Sequence, residues 1–114
     1  MKSLLIATAL AVGLLGVSTS SATAGLSSAA PKTVAVHIQN NMFEPGTVTI
    51  EPGQSVEWTN NDAATHNVVF DDGSGVKSAN LSKGGTFTHT FTKAGTVAYH
   101  CAFHRGMKAS VVVK

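Results

Sequence analysis

The chain has 114 residues, of which 43% are apolar and only 12% carry a formal charge, with eight Lys and Arg against six Asp and Glu. The net charge of +2 provides no broad basic face of the kind that grips nucleic acid or an anionic membrane surface. A single cysteine excludes an internal disulfide, so a domain this small must be held by its apolar core or by a metal.

The chain opens on Lys2 and an apolar run from Leu4 to Val17, followed by small residues ending Ala22-Thr23-Ala24. A basic start, a short apolar middle and a small-x-small end make a secretory signal peptide over residues 1–24. The run is too short and too rich in Ala and Gly to be a membrane span. Cleavage after Ala24 would leave 90 residues of formal charge +1, because the leader contains one lysine and no acid. We therefore expect a periplasmic or secreted protein with no stable membrane insertion and no nucleic-acid partner. Residues 25–32, GLSSAAPK, read as a linker, and residues 33–114 as one domain.

In TVAVHIQ, Thr33 to Gln39, apolar and other side chains alternate as in a half-buried strand. Val48–Ile50 and Val56–Trp58 flank Glu51-Pro52-Gly53-Gln54, where proline presets φ and glycine accepts a positive one. These two read as a hairpin or as strands parting into two sheets. Asn67–Phe70 is a short strand, Asp71–Gly75 a loop, and Val76–Lys83 a stretch able to hold a helical turn. Thr86–Phe91 and Thr96–Cys101 bracket a turn at Thr92–Gly95, and Lys108–Val113 closes the domain. Short, evenly spaced strands with Gly and Pro turns predict an all-β antiparallel sandwich or barrel.

The stretch YHCAFHRGM, residues 99–107, lies between the last two predicted strands. Alternation puts Val97, Tyr99 and Cys101 on one face and Thr96, Ala98 and His100 on the other. His104 and Met107 follow at three-residue steps, close enough to turn back toward the Cys101 sulfur. A thiolate, an imidazole and a thioether together suit copper, because a thioether is a poor ligand for zinc, magnesium or calcium. Of the remaining histidines, His37 and His89 lie within alternating strands and His100 faces away from Cys101. His66 sits at a loop–strand junction, where a side chain can be aimed at the end of a sandwich. The expected set is His66, Cys101 and His104 in a trigonal arrangement with Met107 as a long axial ligand.

With these residues in place, the sequence resembles the cupredoxins, most closely the branch of small blue copper proteins that contains amicyanin and plastocyanin. The resemblance runs through FEPGTVTIEPGQSVEWTNND (Phe43–Asp62), HNVVF (His66–Phe70) and GGTFTHTFTKAGTVAYHCAFHRGM (Gly84–Met107). It implies an eight-stranded Greek-key sandwich with one type 1 copper ion, Cu(I) or Cu(II), under one end. It also implies a monomer that shuttles single electrons between transient protein donors and acceptors, rather than an enzyme. Asn67, following the first histidine, would brace the sulfur and the ligand loop by hydrogen bonds. His104 would be the electron port, with Phe103, Arg105, Met42 and Pro45 as expected members of the docking surface around it. Arg105 departs from the family pattern by standing where a proline often follows the second histidine, and Ala109 stands where a glycine often follows the methionine.

The main alternative is a periplasmic copper carrier or chaperone that hands over metal rather than an electron. Such proteins often carry exposed Met- and His-rich tracts, whereas here only Met42 and Met107 follow the leader. An oxidase or nitrite reductase would need further copper centres, and a haem protein a C-x-x-C-H motif that is absent. His37, His89 and His100 are expected to be solvated strand residues, and Trp58 and Phe70 to be core.

Overall fold

The computed structural model describes residues 32–114, so the leader and nearly all of the 25–32 linker lie outside the described residues. Eight strands follow in chain order: β1 (Thr33–Gln39), β2 (Met42–Glu44), β3 (Thr47–Ile50), β4 (Gln54–Asn60), β5 (Val69–Phe70), β6 (Thr86–Phe91), β7 (Gly95–His100) and β8 (Lys108–Val113). They form two four-stranded sheets, ordered β2-β1-β4-β6 and β3-β8-β7-β5. The result is the all-β sandwich that the resemblance implied.

The segments around Glu51–Gln54 do not form a hairpin. The turn itself is as read, with Gln54 N–H donating to the Glu51 carbonyl at 3.1 Å and Gly53 at φ 93°. The strands it joins go to different sheets, and each sheet gains a parallel pair from this crossing, β1 with β4 and β3 with β8. The purely antiparallel expectation is therefore corrected to two mixed sheets. Alternating patterns fix which face of a strand is buried, but not the direction of its neighbour.

Burial follows the sequence alternation. Val36 and Ile38 of β1 are fully buried, while Thr33, Ala35 and His37 face outward. On β7, Tyr99 is buried and Ala98 exposed. The sheets meet through aromatic rings, with Phe43 edge-on to Tyr99 at 4.7 Å and Tyr99 edge-on to Trp58 at 5.3 Å. Rings packed edge to face contribute beyond their buried area, so these three residues join the two layers.

Two local expectations fail. Val76–Lys83 holds no helical turn; it runs extended along the start of β5, with Ser78 N–H bonded to the Val68 carbonyl at 2.8 Å and Leu81 bridged to His66. Leu81 is buried against the core, and an extended chain is what lets it reach inward while its backbone pairs. His89 is not solvated but half-buried, packed on Phe70 at 5.0 Å and Phe91 at 4.8 Å. His100 is half-buried too, and its Nδ1 lies 2.8 Å from the Asp71 carboxylate.

Candidate metal centre

Cys101 follows β7 directly, and the strand's alternation turns its side chain into the sandwich, where it is only 3% exposed. The loop beyond it is closed at its neck by the Cys101 N–H bonding to the Met107 carbonyl at 3.1 Å. Within the loop, Met107 N–H reaches back to the His104 carbonyl at 3.3 Å. That makes His104-Arg105-Gly106-Met107 a β-turn, with Gly106 at φ 80° in the third position, where a type II turn requires a positive φ. Two nested bonds thus fold the loop back on itself, so that His104 and Met107 return toward the sulfur.

His66 reaches the same place from the segment that leads into β5, the strand paired with β7. Its backbone makes both bonds of a bridge with Leu81, at 3.2 and 2.7 Å, and its side chain is fully buried. The preceding loop is held by Asn60, which is also fully buried. Asn60 donates from Nδ2 to the Leu81 and Ala64 carbonyls at 2.7 and 2.9 Å, and its Oδ1 accepts the Asp62 N–H at 2.8 Å. Removing that one amide would release three anchors of the segment that ends in His66.

The donors converge. Nδ1 of His66 lies 3.6 Å from the Cys101 sulfur and Nδ1 of His104 lies 3.8 Å from it, with the imidazole centroids 4.6 Å apart. One donor atom from each of the three residues lies within 4.8 Å of the others. Met107 is buried and shares with Cys101 and His104 the wall of an open cavity of about 490 Å³, which Arg105, Lys108 and His100 also line. His66, Cys101, His104 and Met107 are thus positioned as a type 1 copper site. The donor set fits that ion: a soft thiolate and thioether with two imidazoles select copper over harder cations, and both imidazoles present the same ring nitrogen to the sulfur.

Three neighbours complete the surroundings. Asn67, buried, accepts the Ala102 N–H on Oδ1 at 2.8 Å, tying the loop to the segment entering β5. Its recorded bond runs to the backbone beside the cysteine, and none to the sulfur is seen among the described residues. Asp62 places Oδ2 at 2.9 Å from His66 Nε2. The Asn41 backbone N–H, with help from His66 and Asn40, holds the Asp62 carboxyl below the usual carboxylate range, against an opposing push from burial. In the adjoining core, burial pushes the Tyr99 phenol up to about 12, with the neighbouring Trp58 indole pulling the other way.

The sequence reading did not anticipate Asn60 or Asp62. Asn-x-Asp is a signal for an Asx turn but is not specific, and an acid four residues before a histidine in an irregular loop carries no signal of its own. Of the residues expected at a docking surface, Phe103 and Met42 are each 51% exposed, and Arg105 and Pro45 are exposed as well. Phe103 and Arg105 flank His104 in the loop, while Met42 opens β2 and Pro45 follows it. His37 lies outside the cluster, exposed, with its Nδ1 3.2 Å from the Asn61 side-chain amide.

Comparison with known proteins agrees with this geometry. The profile of the family described as copper binding proteins, plastocyanin/azurin family, matches residues 32–114. A chloroplastic plastocyanin of Tetradesmus obliquus is 41% identical over 85 residues, covering 64% of this chain and 59% of that protein. An amicyanin of Paracoccus denitrificans is 34% identical over 85 residues, covering 71% of this chain and 65% of that protein. The match thus spans less than two thirds of the length of either relative. Among solved structures, a reduced Cu(I) form of an amicyanin variant superimposes with a TM-score of 0.68 at 34% identity, over 72% of this chain and 82% of that one.

Proposed function

The chain belongs to the plastocyanin/azurin family of copper-binding proteins, and from that premise we propose that it is a type 1 copper protein that carries single electrons between redox proteins. Copper, when bound, supplies the exchange of one electron between its Cu(I) and Cu(II) states. The observation that carries the reading is the convergence of the Cys101, His66 and His104 donor atoms within 4.8 Å, beside the buried Met107.

Each residue has a separate task. Cys101 provides the thiolate and Met107 the axial thioether. His66 is immobilised by its bridge to Leu81, and His104 by the turn it starts. Asn67 braces the loop. Ligands held by the fold rather than by the metal keep their places through a change of charge, and little rearrangement favours fast exchange. His104 is the half-buried member of the set and lies beside the exposed Phe103, so it is the edge at which an electron enters and leaves.

The docking surface is formed by Phe103, Arg105, Met42 and Pro45, and the partners are transient protein donors and acceptors met by a monomer. The leader pattern of residues 1–24 supports export to the periplasm or beyond. No catalytic step on a substrate is assigned to the chain.

Optical and paramagnetic spectra test this directly. The Cu(II) protein is expected to be intensely blue and to bleach reversibly on reduction, with Cys101→Ser colourless and His89→Ala still blue. A colourless Cu(II) protein with the EPR of ordinary square-planar copper would overturn the proposal. Loss of the metal to a chelator on each reduction would favour a copper carrier instead.

A further inference from the structure

Asp62 has no role in the ligand set, yet its carboxylate is the most heavily engaged acid among the described residues. Oδ1 accepts the Asn40 N–H at 2.9 Å, and Oδ2 accepts the Asn41 N–H at 3.0 Å while lying 2.9 Å from His66 Nε2. The two amides come from the β1–β2 turn, where Asn40 and Asn41 adopt φ 55° and 56°. Successive amides in such a turn point outward together and form a concavity that receives an anion. The Asp62 backbone is itself fixed by Asn60 Oδ1 at 2.8 Å. Three donors from two separate segments, the β1–β2 turn and His66, therefore hold one carboxylate in a single orientation.

That orientation has a chemical consequence. An ionised carboxylate can only accept, so His66 must carry its proton on Nε2. The lone pair is then left on Nδ1, the atom that faces the Cys101 sulfur at 3.6 Å. A neutral amide in place of the carboxylate has one acceptor oxygen instead of two and no charge. It could serve the turn or the imidazole, but not both as Asp62 does.

We propose that Asp62 is a positioning residue of the copper centre: it locks the His66 imidazole as the Nε2–H tautomer and, by placing a negative charge behind that ligand, favours Cu(II) over Cu(I). The inference rests on the copper reading above. It also links the β1–β2 turn, which leads into the exposed Met42, to a ligand of the site. The half-buried carboxylate–histidine contact sharpens the ligand's aim and raises its donor strength, as outer partners of metal-bound histidines do.

The test uses the full-length protein with Asp62→Asn, Asp62→Ala and Asp62→Glu. In the metal-free protein, ¹⁵N-detected NMR of the His66 ring is expected to show a fixed Nε2–H tautomer, retained by Asp62→Glu and lost in Asp62→Ala. After copper loading, spectroelectrochemistry is expected to show Asp62→Asn lowering the preference for Cu(II) over Cu(I) by about tenfold, which is about 59 mV upward for one electron. Asp62→Glu is expected to restore part of that shift. An unchanged potential in Asp62→Asn, with a loss of thermal stability alone, would make Asp62 only a clamp on the turn and overturn the redox role. An unchanged tautomer in Asp62→Ala, or in Asp62→Leu should the alanine variant not fold, would overturn the positioning role, since neither side chain can accept from Nε2. A wild-type protein that binds copper without turning blue would defeat the copper reading and the redox role together, whereas the NMR result judges the tautomer lock independently.

Discussion

Replacing Asn67 with alanine removes a side-chain bond that ties the ligand loop to the segment entering β5. Asn67 is 7% exposed, and its Oδ1 accepts the Ala102 N–H at 2.8 Å. Losing such a bond and leaving a peptide group unpaired costs about 1–2 kcal/mol. In a domain of this size that lowers Tm by roughly 5–15 °C. The remaining loop bonds, Cys101 N–H to the Met107 carbonyl and Met107 N–H to the His104 carbonyl, are internal to the loop and do not fix it against the sandwich. The error therefore falls on the placement of His104 and Met107, and copper should bind about 10–100-fold more weakly, the usual penalty for losing a partner that supports a ligand. A tenfold loss of affinity removes about 1.4 kcal/mol of ligand-linked stability at saturating copper. Thermal unfolding with and without copper, combined with chelator competition, measures both parts. Equal Tm losses in the two forms, with unchanged affinity and an unchanged blue band, would show that Asn67 supports the fold but not the site.

Tyr99 is the only tyrosine, so the tyrosinate absorbance of the metal-free protein reports it alone. Its raised folded value, about 12, means that the unfolded chain ionises first, near 10; stability is intact below pH 10 and is lost between 10 and 12, by about 2–3 kcal/mol. A midpoint near 10 in protein that is still folded would refute this. Arg105 occupies the second position of the turn completed by Gly106, the position proline favours, so Arg105→Pro is expected to keep the blue colour and gain about 0.4–1 kcal/mol. Arg105→Glu is expected to leave the spectrum unchanged but to slow electron exchange with an acidic redox protein at low salt and speed it with a basic one, because a rim charge acts mainly on encounter. An identical salt dependence in both variants would remove Arg105 from the docking surface.

How far the sequence reveals this site depends on how far apart the cooperating residues lie along the chain. Cys101, His104 and Met107 are legible because they are close neighbours on one loop, and their three-residue spacing is itself the structure that folds them together. The inward face of β7 is legible for the same reason, since a period of two needs no knowledge of the partner strand. His66 lies farther away and was recognisable by its place at a loop–strand junction. The parallel pairs were not legible, because Val36 opposite Trp58 and Val48 opposite Val111 involve directions that no local pattern encodes. Val76–Lys83 was misread because its regularity comes from pairing with Val68 and His66, not from a period of its own.

Asp62 shows where local reading ends and why. Two of its three donors, at positions 40 and 41, lie 22 and 21 residues away, and the third, His66, stands four residues on in an irregular loop where that spacing has no meaning, so the local sequence marks the carboxylate as no more than a loop acid. Asn40-Asn41 is a turn signal, since asparagine tolerates positive φ, but the signal says only that β1 folds back onto β2. The two facts become one only in space, where the turn's amides and the ligand's ring share a single carboxylate. The site therefore has two kinds of support: a loop that arranges three donors largely by its own hydrogen bonds, and a polar network of Asn60, Asp62 and Leu81 that fixes the fourth. A change in the loop displaces donors together. A change in the network leaves the loop intact and misdirects His66 alone, so damage there should weaken and retune the centre without dismantling it.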